Sequence, residues 1–188
     1  MTLRAETVPD PAEPEVVLTS MRRRHLRGVL RIEQQVYPRP WSMGLFMSEL
    51  GYRTGRVYVV ARVGSTVVGY GGVMLVEEDG HVTTLAVDPA WHRHKIGMRL
   101  LLTLSDAAVA RGAKNLTLEV RLSNRPAQEL YRRFGFVPAG IRKGYYQETN
   151  EDALVMWAND VDTVEHHERL DRLAETITGT TVHEELDR

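Results

Sequence analysis

The pattern of hydrophobic and polar positions along the chain changes between two periods. Alternation at every second residue, in runs rich in Val and Thr, predicts strands, and apolar positions three to four residues apart predict helices with one buried face. In chain order the pattern predicts a strand over 16–19, helices over 26–36 and 42–50, a hairpin over 57–76, a strand over 81–87, a helix from 96, and a strand followed by a helix over 115–134. These elements indicate an α/β layer architecture with four helices packed on a central sheet.

One segment, TLAVDPAWHRHKIGMRLL from Thr84 to Leu101, combines a strand, a loop and a helix start. It begins as a buried strand, turns at Asp88-Pro89, and opens through a basic loop into a helix with an apolar stripe. A helix N-terminus has unpaired N–H groups and a positive dipole end, so such a loop can hold a pyrophosphate. The same letters also fit a basic turn before a core helix, and the segment alone leaves both interpretations open.

A second segment, NLTLEVRLSNRPAQELYRRFGFVPAG from Asn115, predicts another strand and helix. Three aliphatic residues of the strand alternate with polar ones, which places Glu119 on the face opposite the aliphatics. Asn124 is a natural cap residue, and Gly135 is a natural end of the helix. Tyr131 lies on the apolar stripe of that helix.

Both segments resemble the GNAT acyltransferase superfamily. The residues from Trp91 to Met98 resemble the Q/R-x-x-G-x-G/A loop that this superfamily uses on the pyrophosphate of coenzyme A; His92 replaces Gln or Arg, Lys95 replaces the first Gly, and Gly97 matches. The motifs LEVRLSN and LYRRFGF, with the later run RKGYYQETNEDALVMWA, are most similar to the ribosomal-protein-alanine N-acetyltransferase family, a branch of N-terminal protein acetyltransferases. The resemblance covers residues 16–158.

The resemblance implies a fold, a reaction and a set of site residues. The fold is a single GNAT-like α/β domain with a mixed, mostly antiparallel central sheet and helices on both faces. The reaction is transfer of acetyl from acetyl-CoA to the N-terminal α-amino group of a protein, with the N-terminal alanine of a ribosomal protein as the implied acceptor. Glu119 is the implied base, and Tyr131 is the implied acid for the leaving thiolate. The residues implied in cofactor binding are Leu85, Ala86, Val87, Arg93, His94, Lys95, Ile96, Gly97, Met98 and Asn124. Those implied around the acceptor are Tyr37, Trp41, Tyr145 and Tyr146.

Each role has a structural alternative in the sequence. Glu119 also fits a solvated strand residue, Tyr131 a packed aromatic, and Asn124 a helix cap. The four aromatics around the implied acceptor also fit ordinary packing. Two other functions remain open. One is acetylation of a small amine such as an aminoglycoside or polyamine. The other is a non-enzymatic acyl-CoA-binding module, which Lys95 and the extra C-terminal segment suggest.

Composition narrows the remaining classes. The 188 residues, 43% of them hydrophobic, suit one soluble domain, and the net charge of −1 argues against direct binding of nucleic acid. The absence of cysteine and the spacing of the histidines argue against a metal site, and no run is long enough to span a membrane. We expect a cytoplasmic protein with a flexible lead-in over 1–15, the catalytic domain over 16–158, and a charged C-terminal tail over 159–188 that contains a further helix.

Overall fold

The computed structural model describes residues 13–52, 54–184 and 186. Its strands are β1 (Val16–Ser20), β2 (Arg56–Val63), β3 (Thr66–Val76), β4 (Asp79–Val87), β5 (Asn115–Arg121), β6 (Val137–Tyr146), β7 (Glu151–Ala158) and β8 (Thr181–Glu184). Its α-helices are α1 (Leu26–Val36), α2 (Met43–Glu49), α3 (Ile96–Val109), α4 (Arg125–Arg133) and α5 (Val164–Glu175).

All eight strands belong to one sheet, in the order β6-β7-β5-β4-β3-β2-β1-β8. Neighbouring strands are antiparallel except for two parallel pairs, β4 with β5 and β1 with β8. The chain runs from β4 to β5 through α3, which is the crossover that a parallel pair requires. The predicted fold class, a mixed and mostly antiparallel sheet in an α/β domain, is therefore confirmed.

Helices cover both faces of the sheet because its central strands are apolar on both sides. Along β2, for example, Tyr58 and Val60 pack with α1 and α2, whereas Val57, Val59 and Ala61 pack in the cluster that contains residues of α3, α4 and α5. A strand that is buried on both faces is typical of a sheet between two helical layers.

The ends of the helices follow local sequence signals. The α1 helix stops before Tyr37, which is extended because Pro38 disfavours a helical residue before it. The α2 helix begins after Ser42, whose hydroxyl accepts a hydrogen bond from the Leu45 N–H at 3.2 Å. The loop between these two helices is thus defined at both ends.

The structure adds elements that the pattern does not predict. The β6 strand is an edge strand with mostly exposed side chains, so it lacks an apolar alternation, and β8 follows the fifth helix and pairs with β1. The segment after residue 159 therefore contains a helix, as its pattern indicates, and also a strand of the main sheet. Most of the predicted lead-in over 1–15 lies outside the described residues.

Candidate active site

A cleft opens where β4 and β5 separate. The two strands pair only from Asp79 to His81 and from Asn115 to Thr117, and beyond these residues they have no common ladder. The pairing of β3 with β4 skips one residue of β4: Gly72 pairs with Thr84, and the next residue of β3, Val73, pairs with Val82. Thr83 is therefore an extra residue that forms a bulge in β4. The resulting cleft has a volume of about 390 Å³. Unpaired backbone and side chains from both faces of the sheet can reach it.

Glu119 of β5 lies in this cleft with its side chain only 8% exposed. Its Oε2 is 2.6 Å from Nε2 of His81, and its Oε1 is 3.2 Å from Nη1 of Arg142. His81 pairs with Thr117 in the β4–β5 ladder, two residues before Glu119, so the two side chains share one face of the sheet. The sequence resemblance points to Glu119, but neither partner of its carboxylate was predicted.

Tyr131 reaches the same cleft from α4, on the other face of the sheet. Its side chain packs against Phe136 with the ring centroids 5.8 Å apart, and the residue is 8% exposed. Burial raises the pKa of its hydroxyl, and the neighbouring Tyr37 and Tyr146 raise it further. Tyr131 is therefore both a packed aromatic and a residue of the cleft, and the hydroxyl stays protonated at neutral pH.

The backbone of β4 forms one wall. The Leu85 carbonyl accepts a hydrogen bond from the Tyr37 hydroxyl at 3.1 Å, whereas Ala86 pairs with Tyr70 of β3. The backbone N–H and C=O groups of successive strand residues point to opposite edges of the strand. Those of Leu85 and Val87 therefore point into the open side of β4, and those of Ala86 point to β3. Of these three residues, Leu85 lines the cleft.

The loop before α3 has the backbone geometry of an anion site. Lys95, directly before the helix, has φ +57° and makes no side-chain cap, and Arg93 has φ +68°. These left-handed conformations favour glycine, which explains why a glycine is usual at the position that Lys95 occupies. Gly97, by contrast, has an ordinary φ, and a Cβ there would meet only Leu130 and Val87 at normal distances.

The first turn of α3 presents backbone N–H groups, and few side chains, to a possible ligand. The first intrahelical bond is from the Arg99 N–H to the Lys95 carbonyl, which leaves the N–H groups of residues 96–98 without helical acceptors. The side chains of Ile96 and Met98 are buried in the core, so only their backbone is available to a ligand. Arg93 and His94 are exposed beside this turn.

Asn124 caps α4. Its Oδ1 accepts a hydrogen bond from the Ala127 N–H at 3.2 Å, and the residue also lines the cleft. The cap role and a position at the cleft are therefore both present, as the sequence allows.

Aromatic residues from two turns line the cleft. Tyr37 and Trp41 come from the loop between α1 and α2, and Tyr145 and Tyr146 come from the end of β6. The two tyrosine rings stand edge to face with centroids 5.1 Å apart, and the Tyr146 ring lies 3.8 Å under the Arg121 guanidinium. All four predicted acceptor residues thus line one cavity.

Glu33 of α1 is a further cleft residue that sequence reasoning missed. Its Oε1 accepts a hydrogen bond from the Trp41 N–H at 2.8 Å, and its buried Oε2 has no hydrogen-bond partner. Burial raises its pKa to about 7. Its position on an amphipathic helix, next to the apolar stripe, gave the only signal in the sequence.

The described part of the chain lacks two other kinds of site. Across residues 13–52, 54–184 and 186, no three His, Asp or Glu side chains are grouped so that they could hold a metal ion. No helix among those residues is long and apolar enough to cross a membrane.

The family model, the similar sequences and the similar structure described here are all acetyltransferases. The acetyltransferase (GNAT) family model matches residues 26–136. A putative ribosomal protein bS18-alanine N-acetyltransferase of Bacillus subtilis is 35% identical over 143 residues, which are 76% of this chain and 95% of the relative. The ribosomal protein bS18-alanine N-acetyltransferase of Escherichia coli is 33% identical over 141 residues, 74% of this chain and 94% of the relative. The crystal structure of the ribosomal-protein-S18-alanine N-acetyltransferase from Escherichia coli superposes with a TM-score of 0.70 at 30% identity, covering 77% of this chain and 94% of that one.

Proposed function

The chain belongs to the acetyltransferase (GNAT) family and is an acetyl-CoA-dependent N-acetyltransferase; we propose that its acceptor is the N-terminal alanine of ribosomal protein bS18. The relatives that carry this activity in their names support the acceptor. The observation that carries the proposed mechanism is that Glu119 and Tyr131, from opposite faces of the sheet, line one cleft.

The donor fits the loop before α3. The free N–H groups at the start of that helix and the positive end of its dipole suit the pyrophosphate, and the ammonium of Lys95 adds a positive charge beside them. The open side of β4 offers the backbone of Leu85 and Val87 to the arm that carries the acetyl thioester. We assign these groups, with residues 93–98 and Asn124, to donor binding.

Glu119 is the proposed base. An α-amino group has a pKa of about 7.7–8.0, so it is partly neutral near pH 7 and a modest base suffices to take its proton. The Glu119 carboxylate is buried beside the cleft and faces away from the aliphatic core, where an acceptor amine can approach it. Attack of the neutral amine on the thioester needs no covalent intermediate with the enzyme.

Tyr131 is the proposed acid. Its hydroxyl is protonated at neutral pH, since the pKa of a tyrosine is ordinarily about 10 and burial raises it further here, so a proton is available for the departing thiolate. The aromatic residues of the two turns hold the acceptor peptide by shape. A polypeptide N-terminus with a small first residue suits this aromatic-lined cavity of about 390 Å³.

The test is a parallel acetylation assay read by mass spectrometry. The acceptors are a peptide with the N-terminal sequence of bS18, the same peptide with a blocked N-terminus and a free lysine, and a set of polyamines and aminoglycosides. We expect acetyl on the α-amino group of the free peptide alone. Equal acetylation of the lysine, or faster acetylation of a small amine, would contradict the proposed acceptor.

A further inference from the structure

Each oxygen of the proposed base already has one side-chain partner in this structure. Its Oε2 contacts His81 at 2.6 Å and its Oε1 contacts Arg142 at 3.2 Å. A general base must lie within hydrogen-bond reach of the proton that it takes, directly or through one water. Each carboxylate oxygen can accept more than one contact, but an acceptor ammonium on Oε1 would lie beside the Arg142 guanidinium, so the two cations compete for that oxygen.

The two partners differ in how firmly they are held. The His81 side chain is 30% exposed and lies on a strand that is paired to β5 two residues before Glu119. The Arg142 side chain is 58% exposed and lies on β6, an edge strand whose pairing with β7 becomes irregular after Arg142. Exposed ion pairs made by one nitrogen are weak, whereas a contact across adjacent paired strands is geometrically fixed. Arg142 is the partner that can leave at little cost.

Arg142 also has a second contact nearby. Its guanidinium carbon lies 5.7 Å from the centroid of the Tyr145 ring, so the side chain keeps a cation–π contact when it moves off the carboxylate. Tyr145 belongs to the turn that lines the cleft. Departure of Arg142 therefore shifts a positive charge from Glu119 toward the Tyr145 ring.

We propose that Arg142 occupies on Glu119 the position that the acceptor ammonium takes, and that His81 is a positioning residue that holds the other oxygen throughout. This inference rests on the proposed function, since it assumes an amine acceptor and Glu119 as the base. The α-amine is largely protonated near pH 7, so one cation replaces another on Oε1 and the charge at the carboxylate is unchanged.

Proton transfer then follows within the new pair. An N–H bond of the ammonium breaks, an O–H bond forms at Oε1, and the nitrogen keeps the electron pair with which it attacks the thioester. During this step His81 donates its Nε2–H to Oε2 and keeps the carboxylate from rotating away from the cleft. Arg142 therefore competes with the acceptor, while His81 serves the chemical step.

The two roles predict opposite kinetic signatures. Without Arg142 the acceptor has no competitor, so Arg142→Ala should lower the KM for the acceptor peptide between about 1.4-fold and 5-fold, the range of an exposed ion pair, with kcat unchanged. Without His81 the carboxylate is less well oriented, so His81→Ala should lower kcat about 10-fold or more at constant affinity for acetyl-CoA. His81→Gln, whose amide can donate to Oε2, should recover part of that loss.

Steady-state kinetics on purified full-length variants tests both roles. Lys143→Ala is the matched control for Arg142→Ala, because Lys143 is an exposed cation next to Arg142 on the same strand, whereas the ion pairs of Glu119 within the described residues are with His81 and Arg142. Melting temperatures establish that each variant is folded. If the wild-type enzyme acetylates no peptide, the proposed function is wrong. If the wild-type enzyme turns over and Arg142→Ala has an unchanged or higher acceptor KM, or His81→Ala keeps the wild-type kcat, this inference alone is wrong.

Discussion

The hydroxyl of Tyr131 is the smallest group on which the mechanism depends. It makes no hydrogen bond with any described residue, while its ring packs against Phe136. Its environment thus favours retention of the proton but provides no internal acceptor. The ring serves the core and the hydroxyl is left for the cleft.

Removal of this hydroxyl should separate catalysis from packing. We expect Tyr131→Phe to lower kcat by a factor on the order of 10² or more, because the leaving thiolate loses its proton donor. Stability should be unchanged or slightly higher, since no hydrogen bond is lost. Turnover and melting temperature are the measurements. Tyr70→Phe is the control: Tyr70 also has a buried hydroxyl without a partner but does not line the cleft, and it should keep the wild-type rate. A fast Tyr131→Phe enzyme would remove this residue from the mechanism.

Glu33 makes the stability of the protein depend on pH. Burial raises its folded pKa to about 7, above the ordinary value of 4.5. Between these two values the folded state holds a proton that the unfolded chain has released, so stability falls as pH rises through this window and is constant above it. The carboxyl at the same time fixes the backbone of Trp41.

Glu33→Gln should remove this pH dependence and keep the bond to Trp41. The quantity to compare is the unfolding free energy of the variant minus that of wild type. This difference should be about 1 to 3 kcal/mol larger at pH 8 than at pH 5, because wild type loses stability between these pH values and the variant does not. Urea unfolding of both proteins at the two pH values measures it. Parallel pH curves for the two proteins would show that Glu33 does not titrate in this range.

At the scale of elements, the sequence predicts where the loop before α3 lies but not the backbone angles of its residues. The resemblance identified the loop and its departure from glycine at Lys95. Letters alone did not reveal that Arg93 is left-handed as well, or that Gly97 has an ordinary φ. Backbone angles in a loop depend on how both of its ends are anchored, here by the Asp88 cap and by α3.

Lys95 can be tested for charge and conformation separately. Lys95→Asn removes the charge but tolerates a left-handed backbone, and Lys95→Gly removes the charge and the strain. We expect both variants to bind acetyl-CoA more weakly than wild type at low salt, with the difference shrinking at high salt. Calorimetric titration at two ionic strengths gives the dissociation constants. Tighter binding by both variants would show that the lysine is a handicap to the site.

Two of the site residues that sequence reasoning missed, His81 and Arg142, share a cause. The pair of His81 and Glu119 depends on the register of β4 against β5, and the contact of Arg142 depends on β6, two strands from β5 in the sheet. Neither register can be derived from periodicity, because the β4–β5 connection contains α3 and β6 has no alternating pattern. Glu119, Tyr131, Tyr145 and Tyr146 could be placed at the cleft because they lie in contiguous motifs.

At the scale of the whole molecule, the C-terminal segment is part of the main structure. The β8 strand extends the sheet beside β1, and the Arg99 guanidinium donates to the Thr178 carbonyl at 2.6 Å. The helix α5 was predictable from its apolar spacing, but β8 has four residues and pairs with a strand more than 160 positions earlier. A short strand gains its structure from its partner, which a local pattern does not contain.

This packing predicts a measurable cost at Leu170 of α5. The residue is 5% exposed and belongs to the cluster with α3 and α4, so Leu170→Ala should lower the unfolding free energy by about 2 to 5 kcal/mol. Val164→Ala on the same helix, at a residue that is 75% exposed, should change it by less than about 0.5 kcal/mol. Chemical denaturation compares the two. Equal small effects would mean that α5 is not joined to the core in solution.

The central claim is that Glu119 is the base of the reaction, and the pH dependence of Glu119→Gln tests it most directly. The amide keeps the size of the carboxylate and one acceptor oxygen for His81 but cannot take a proton, so kcat near pH 7 should fall by a factor on the order of 10² to 10⁴ with acetyl-CoA affinity little changed. The loss should shrink above pH 8, where the acceptor amine is mostly neutral and needs less help. Glu129→Gln, at an exposed carboxylate of α4 outside the cleft, should match wild type throughout. A Glu119→Gln enzyme that is as fast as wild type, or whose deficit is the same at every pH, would contradict the account.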